Sequence, residues 1–204
     1  MLRIGIFGGS FSPVHLGHVE AAKHFISQMW LDVLFIVPVG NNPAKSEEQM
    51  GASARDRFEM CRRAFAGIDG VIVSDVEIKR DGVGYTVDTL RSFAGENTRL
   101  FLLCGSDKIL SIDRWRDADE IFRLSYPVYI RRDEDSSLDA EIISKVGYLR
   151  EKYGKNIVRL NAPVINLSSS NIRDLIAQGE DISRLVPESV LDYIKERRLY
   201  GHKA

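Results

Sequence analysis

Between residues 8 and 18 the chain reads Gly8-Gly9-Ser10-Phe11-Ser12-Pro13-Val14-His15-Leu16-Gly17-His18. The segment follows a short apolar, β-branched run, Leu2 to Phe7, and leads into a segment with helical spacing, Gly17 to Met29. This order predicts a buried strand, a tight loop and a helix. A loop at the carboxyl end of a strand in an open α/β sheet faces the ligand crevice, so we expect a binding site here.

The rest of the chain continues this alternation of apolar runs with helical segments. The predicted strands are Leu2 to Phe7, Val33 to Val39, Val71 to Ile78, Leu100 to Cys104, Val128 to Ile130 and Ile157 to Leu160. The predicted helices between them are Gly17 to Met29, Ser53 to Ala66, Thr86 to Phe93, Ala118 to Leu124 and Leu138 to Tyr153. Two more helices close the chain, one from Ser169 or Ser170 to Gly179 and one from the region of Pro187 to Arg198.

Strands that alternate with helices pair in parallel through crossover connections. We therefore expect an α/β fold with a Rossmann-like open parallel sheet, helices on both faces and a C-terminal helical segment. The chain has 204 residues, of which 44% are hydrophobic, enough to bury one core. We expect a single domain spanning residues 1–204.

Composition excludes several classes of partner. The 28 basic and 29 acidic residues leave a formal net charge of −1, which offers no broad basic surface for nucleic acid. No stretch approaches a membrane-spanning length, and the apolar start is too short for a secretory signal. We expect a cytoplasmic protein without membrane partners. Its two cysteines make neither a disulfide framework nor a zinc site, and homo-oligomer formation stays open.

The first loop has the features of a phosphate-binding cradle. Gly8 and Gly9 let the backbone approach a phosphate closely, and the following helix offers unpaired N–H groups and the positive end of its dipole. His15 and His18 are three positions apart, so both imidazoles can face the same space from the first helical turn. The alternative is an ordinary strand-to-helix turn in which His15 caps the helix and His18 packs against it.

Two other phosphate motifs are absent from the sequence. No Gly-x-x-x-x-Gly-Lys-Ser/Thr occurs, which excludes a P-loop, and the first loop lacks the Gly-x-Gly-x-x-Gly spacing that hydride-transferring enzymes use for dinucleotides. A second anion site is predicted near the C-terminus, in Leu167-Ser168-Ser169-Ser170-Asn171-Ile172-Arg173. Its hydroxyl and N–H groups stand at a helix start, and Arg173 carries a fork suited to phosphate oxygens. A simple helix cap beside a solvated arginine is the alternative.

The first loop resembles the signature of the nucleotidyltransferase superfamily that carries a His-x-Gly-His element, especially its nicotinate mononucleotide adenylyltransferase branch. The resemblance implies that Gly8, Gly9, Ser10 and Phe11 bind ATP and that His15 and His18 contact the ATP phosphates and the transition state. Ser12 is a departure, because the branch most often has Asp or Asn there.

The segment 167–173 is similar to the Ile-Ser-Ser-Thr-x-Ile-Arg element of the same superfamily. The resemblance implies that Ser168, Ser169 and Arg173 hold the departing pyrophosphate, so Arg173 joins His15 and His18 as a catalytic residue. Leu167 and Ser170 are mild substitutions within that element.

The middle of the chain favours nicotinate mononucleotide as acceptor, because four of its segments resemble that branch. They are Val37-Pro38 with Asn41, Asn42 and Lys45; Asp75 to Arg80; Gly84-Tyr85-Thr86-Val87-Asp88-Thr89-Leu90; and Cys104-Gly105-Ser106-Asp107 with Trp115. The C-terminal stretch from Leu185 to Tyr200 is similar as well.

Each acceptor residue has a physical role to match this resemblance. Tyr85 and Thr86 begin a helix whose N–H groups suit the nicotinate carboxylate, and Trp115 offers a face for the pyridine ring. Asn41 is placed with the acceptor, and Lys45 is expected to meet a phosphate, although the branch usually has His where this chain has Ala44.

The residues of the middle segments that are assigned to ATP have roles that the sequence specifies less well. Gly105 and Asp107 are assigned to ATP, with Asp107 accepting from ribose or adenine, and a helix N-cap is the equal alternative. Arg132 either faces the nucleotide or lies on the surface.

The implied reaction joins the adenylyl group of ATP to nicotinate mononucleotide and releases pyrophosphate. Such catalysis needs positioning, charge stabilisation and a divalent ion on the ATP phosphates, expected to be Mg²⁺, without a protein metal cluster. ATP and nicotinate mononucleotide are the expected small-molecule partners. The alternatives are an adenylyltransferase for nicotinamide mononucleotide or another phosphorylated acceptor, a non-catalytic nucleotide-binding regulator, and a nucleic-acid-binding module.

Overall fold

The computed structural model describes residues 1–41, 47–131, 137–163 and 167–202, and its centre is a six-stranded parallel sheet. The strand order is β3-β2-β1-β4-β5-β6, so the chain starts in the middle and builds outward in both directions. The strands are β1 (Leu2–Gly9), β2 (Val33–Pro38), β3 (Val71–Val73), β4 (Thr98–Gly105), β5 (Ser125–Ile130) and β6 (Val158–Arg159). The reversal of strand order beside β1 places the ligand crevice at the carboxyl ends of β1 and β4.

Helices cover both faces of this sheet, as the alternation of segments predicts. They are α1 (Leu16–Met29), α2 (Glu47–Met50), α3 (Ala54–Ala64), α4 (Thr86–Phe93), α5 (Ser106–Ile109), α6 (Ala118–Leu124), α7 (Asp139–Tyr153), α8 (Ser169–Gln178) and α9 (Glu188–Arg197). Two short 3-10 turns, Ile112–Arg114 and Leu199–Gly201, complete the description. No helix in the described ranges has both the length and the apolar character needed to cross a membrane.

Successive side chains along a strand point to opposite faces of the sheet, so they belong to two separate hydrophobic cores. Ile4 and Ile6 of β1 pack with α4 to α7 on one face, whereas Phe7 packs with α1, α3, α8 and α9 on the other. β4 behaves in the same way, because Leu102 and Leu103 enter opposite cores. The near-continuous apolar runs of the sequence therefore belong to strands buried on both faces, and the expected Rossmann-like fold is confirmed.

The third strand is shorter than the apolar run predicts. We expect a strand from Val71 to Ile78, but β3 ends at Val73, and the chain then turns. Ser74 donates its N–H to the Ile36 carbonyl, and its Oγ accepts from Val76, which starts the turn. The residues after Ser74 leave the sheet edge, so the side chain of Glu77 becomes buried instead of alternating along a strand.

The C-terminal segment is fixed to α3. The Tyr193 hydroxyl of α9 donates to Asp56 at 2.9 Å, and the Arg63 guanidinium lies 4.5 Å from the Tyr193 ring centre. Burial alone would raise the pKa of Asp56, but hydrogen bonds from Ser53 and Tyr193 and the charge of Arg197 outweigh it and lower that pKa. The segment after α9 is thereby held near the first loop.

Candidate active site

A cavity of about 860 Å³ opens at the carboxyl ends of β1 and β4. The first loop, residues 10–15, forms one wall, and its backbone passes through a left-handed conformation at Phe11, where φ is 48°. The Phe11 ring is buried, and a Cβ added at Gly9 would lie 3.1 Å from it. A side chain at position 9 would therefore press on the Phe11 ring, over which the loop folds back.

Nine of the predicted ATP-binding residues come from the two anion motifs and line this one cavity, although the motifs are about 150 positions apart in the chain. They are Gly8, Gly9, Ser10, Phe11, His15, His18, Ser168, Ser169 and Arg173. Gly105 and Asp107 line it as well. The fold thus brings both anion motifs to one space.

The two histidines lie against each other at the start of α1. Their ring centres are 3.7 Å apart with planes inclined by 27°, and His15 is the N-cap residue of the helix. The His15 N–H lies 3.3 Å from His18 Nδ1, which therefore acts as an acceptor and leaves the proton of a neutral ring on Nε2. Because both rings line the cavity, His18 can present an N–H donor to a phosphate there.

The second anion segment is tied directly to the first loop. Ser169 Oγ donates to the Pro13 carbonyl at 2.9 Å, and Arg173 Nη1 donates to the Ser12 carbonyl at 2.8 Å. Ser168 caps α8 by accepting from the Asn171 N–H at 3.1 Å. The segment therefore caps α8 and lines the cavity at the same time, so the helix-cap alternative is correct for Ser168 and the anion-binding role of the segment stays a prediction.

One expectation about the helix start needs correction. The sequence suggests that α1 offers its first N–H groups to a ligand, but Leu16 donates its N–H to the Leu185 carbonyl at 3.0 Å. The loop before α9 thus occupies one of the positions that an anion was expected to use. The groups left to meet an anion in the prediction are then the histidines, the glycine backbone and the start of α8.

Ser12, the residue that departs from the family pattern, has defined hydrogen-bond partners in the structure. Its buried Oγ donates to the Met50 carbonyl at 2.5 Å and lies 3.0 Å from the Tyr200 hydroxyl. Tyr200 comes from the turn after α9, and burial raises its pKa well above the ordinary value. The C-terminal turn therefore packs against the first loop through the contact between Tyr200 and Ser12.

This contact predicts a measurable cost for Tyr200→Phe. Deleting the hydroxyl removes the partner of Ser12 Oγ, so we expect the free energy of unfolding to fall by about 1 kcal/mol. Urea denaturation measures this value, with Tyr148→Phe as the control because Tyr148 is 47% exposed. An unchanged unfolding midpoint in Tyr200→Phe would show that the C-terminal turn gives the loop no support.

The predicted acceptor residues Tyr85, Thr86 and Trp115 line the same cavity. Tyr85 is the N-cap of α4 and Thr86 its first residue, so the expected helix start is present. Trp115 is half-buried, and its indole N–H lies 3.4 Å from Ser111 Oγ. Arg116, which sequence reasoning missed, holds its guanidinium 4.5 Å from the Tyr85 ring centre and brings a positive charge to this part of the cavity lining.

The remaining predicted site residues are placed differently. Asp107 lies in the first turn of α5, whose N-cap is Gly105, so the N-cap alternative for Asp107 is wrong. Within the described ranges, Asn41 is outside the cavity lining, and its carbonyl accepts from the Gly84 N–H at 3.1 Å. Lys45 and Arg132 lie outside the described residues.

Glu77 and Thr89 also line the cavity, although sequence reasoning did not single them out. Thr89 Oγ1 donates to Glu77 Oε1 at 2.5 Å. Burial raises the pKa of the Glu77 carboxyl above its ordinary value, and the hydrogen bond from Thr89 only partly offsets that rise. No sequence signal separates this buried carboxylate from the exposed acidic residues around it.

The described residues contain no group of three or more His, Cys, Asp or Glu side chains close enough to hold a metal ion. An α/β sheet with a cavity at its switch point, lined by glycines, two histidines and a serine-arginine helix start, defines a nucleotide-binding protein of the nucleotidyltransferase class. A family model described as cytidylyltransferase-like matches residues 6–175.

Comparison with related sequences shows which branch of the nucleotidyltransferase class the chain belongs to. The probable nicotinate-nucleotide adenylyltransferase of Clostridium acetobutylicum is 36% identical over 203 residues, with 98% of this chain and 100% of the relative covered. The one of Clostridium botulinum is 34% identical over 200 residues and covers 98% of each chain. The chain therefore belongs to the cytidylyltransferase-like family and, within it, to the nicotinate-nucleotide adenylyltransferases.

A solved structure supports the fold independently. The nicotinic acid mononucleotide adenylyltransferase of Plasmodium falciparum, complexed with NaAD, has a TM-score of 0.80 to this chain. The match covers 100% of this chain and 99% of the other at 20% sequence identity. At that identity the likeness concerns the fold alone.

Proposed function

We propose that this protein transfers the adenylyl group of ATP to nicotinate mononucleotide, giving deamido-NAD and pyrophosphate, a step of NAD biosynthesis. A phosphate oxygen of the mononucleotide attacks the α-phosphorus of ATP in line, and the bond from that phosphorus to the pyrophosphate oxygen breaks. No covalent enzyme intermediate is needed, since positioning and charge stabilisation supply the catalysis.

One observation carries this proposal. The bonds from Ser169 to the Pro13 carbonyl and from Arg173 to the Ser12 carbonyl join two anion-binding segments into a single wall. The helix start at Tyr85 and Thr86 and the side chain of Trp115 line the same cavity. Its volume, about 860 Å³, suits two nucleotides bound side by side.

The roles proposed for the residues are those that the family resemblance implies, and their places in the cavity lining support them. His18 donates from Nε2 to the oxygens around the α-phosphorus, where negative charge grows in the transition state, and His15 stacks on it and adds a second donor. Ser168, Ser169 and Arg173 hold the departing pyrophosphate. The backbone of Gly8, Gly9, Ser10 and Phe11 lies along the ATP phosphates, and Gly105 and Asp107 hold the ribose or adenine.

A divalent ion, most simply Mg²⁺, enters as part of the substrate MgATP. It neutralises oxygens of the triphosphate and is held by them together with water, because Mg²⁺ keeps several waters when it binds phosphates. The protein residues named here bind, orient and donate to the nucleotide.

The residues assigned to the acceptor favour a pyridine nucleotide that carries an acid. The first turn of α4 presents the positive end of a helix dipole, and Arg116 adds a full positive charge beside the Tyr85 ring. A carboxylate needs donors only, whereas an amide also needs an acceptor. The family resemblance assigns Asn41 and Lys45 to the acceptor as well. The Plasmodium enzyme was solved with NaAD bound.

Product analysis with acceptors of different chemistry tests the proposal. ATP and Mg²⁺ are supplied with nicotinate mononucleotide, with pantetheine phosphate or with an alcohol phosphate, and the products are separated by chromatography and identified by mass. We expect deamido-NAD from the first mixture and no adenylylated product from the others. A product from another acceptor alone would replace nicotinate mononucleotide in the proposal. No product from any mixture would favour the non-catalytic regulator.

A further inference from the structure

Arg57 of α3 is a fully buried arginine that the proposed chemistry does not use. Its Nη1 donates to the Ser10 carbonyl at 2.9 Å, and its Nη2 lies 3.3 Å from the Gly40 carbonyl. Ser10 follows β1 in the loop assigned to ATP, whereas Gly40 follows β2 and precedes Asn41, which the resemblance assigns to the acceptor. One planar guanidinium therefore bridges the loops of two neighbouring strands.

Neighbouring arginines on the same helix behave differently. Arg62 is mostly exposed and pairs with Glu59 in an ordinary surface ion pair at 2.8 Å. Removing a guanidinium from water costs several kcal/mol, and a buried charge with its partners is frequently no more stabilising than apolar packing. The burial of Arg57 is therefore better explained by the geometry it imposes than by stability.

Glu77 supplies a negative charge opposite to that of Arg57 and extends the bridge that Arg57 makes between the two loops. Its carboxylate accepts from the Gly40 N–H, and the charge of Arg57 acts on it. The contact around Gly40 is very close, since a Cβ added there would lie 2.2 Å from the Glu77 carbonyl oxygen. Gly40 is thus held by Arg57 on its carbonyl side and by Glu77 on its amide side.

The same carboxylate reaches the helix that begins at the acceptor site. Thr89 Oγ1 of α4 donates to Glu77 Oε1 at 2.5 Å, and Arg80 Nη1 lies 3.4 Å from that hydroxyl. Thr89 is one turn after Tyr85, and its N–H bonds to the Tyr85 carbonyl. A continuous set of bonds therefore runs from the Ser10 carbonyl through Arg57, Gly40 and Glu77 to α4.

We infer that Arg57 and Glu77 are positioning residues that set the distance between the ATP loop and the acceptor helix. The inference rests on the proposed function, because it concerns how the two substrates are aligned for in-line attack. A misplacement of about 1 Å between reacting groups can lower a rate on the order of 100-fold, so such a brace acts on the chemical step. Neither side chain is assigned a substrate contact, so binding of each substrate alone depends on them less than turnover does.

Arg57→Lys tests this separation of turnover from binding. Lysine keeps the charge, but its ammonium lacks the planar fork that holds two carbonyls in fixed directions. We expect kcat to fall between about tenfold and about 100-fold. The dissociation constants of ATP alone and nicotinate mononucleotide alone, measured by calorimetry, should change by less than about threefold. Arg62→Lys, on the same helix, is the matched control and should keep wild-type turnover.

Glu77→Gln provides a second test should Arg57→Lys fail to fold. The amide oxygen can still accept from Thr89, but the negative charge facing Gly40 and Arg57 is lost, so kcat should fall with little change in either dissociation constant. The double variant should lose less than the product of the two single losses, because the residues act through one brace.

Two results would overturn the inference while leaving the function intact. One is wild-type kcat in folded Arg57→Lys and Glu77→Gln. The other is a loss confined to substrate binding, which would make these residues part of a binding surface. Wild-type protein that turns over no acceptor at all would instead contradict the proposed function, and the inference would fall with it.

Discussion

Replacing His18 by alanine is expected to lower kcat by about 100-fold to about 1000-fold, the loss measured when one preorganised donor to a developing negative charge is removed. His18 lines the cavity, and its Nδ1 already accepts from the His15 backbone, so its Nε2 proton is the one available to the nucleotide. Because this donor acts mainly in the transition state, kcat and kcat/KM should fall together. Steady-state pyrophosphate release measures both.

The matched control for this change is His24→Ala. His24 is on the same helix, outside the cavity lining, with its ring near Gln28. It should retain wild-type kinetics. Thermal unfolding of both variants shows whether the loss of the stacked ring has damaged the fold. Turnover within about threefold of wild type in folded His18→Ala would contradict the role given to the paired histidines.

Replacing Arg173 by alanine should produce the second large loss, in the use of ATP. Its guanidinium lines the cavity, where we propose that it holds pyrophosphate, and it also donates to the Ser12 carbonyl. Alanine would remove the proposed phosphate contact and the hydrogen bond that joins segment 167–173 to the first loop. A hydrogen bond to a charged group contributes about 1.5–3 kcal/mol, so kcat/KM for ATP should fall between about tenfold and about 100-fold.

Arg173→Lys separates charge from geometry. Lysine keeps the positive charge but loses the fork, so its loss should lie between those of wild type and Arg173→Ala. Inhibition by added pyrophosphate should weaken in the same order, because we propose that the same group holds the leaving product. Arg184→Ala, at an exposed position before α9, is the control. Normal pyrophosphate inhibition in Arg173→Ala would move the pyrophosphate site elsewhere.

The parts of the fold and site that depend on local sequence could be predicted. The parallel sheet with helices on both faces follows from the alternation of apolar runs and helical spacing, and the fold and the family are confirmed. The cavity lining around His15, His18, Ser168 and Ser169 was predictable, because glycine pairs and serine caps act within a few residues of themselves. The catalytic and binding roles of these residues remain predictions.

The parts that depend on distant contacts could not be predicted. Arg57 resembles Arg55, Arg62 and Arg63 in sequence, and its acceptors are backbone carbonyls, which every residue carries. Tyr200 is distinguished only by its approach to Ser12, which is 188 positions away in the chain. The turn after β3, which buries Glu77, could not be predicted because the residues from Val71 to Ile78 suit a strand equally well.

The identity of the acceptor is tested most directly by competition. A one-to-one mixture of nicotinate mononucleotide and nicotinamide mononucleotide is supplied with limiting ATP and Mg²⁺, and the ratio of deamido-NAD to NAD gives the ratio of the two kcat/KM values. A carboxylate received by the α4 helix start and Arg116 predicts at least about a tenfold excess of deamido-NAD, equivalent to one charge-assisted hydrogen bond. Equal products, or an excess of NAD, would contradict the assignment of nicotinate mononucleotide as the preferred acceptor.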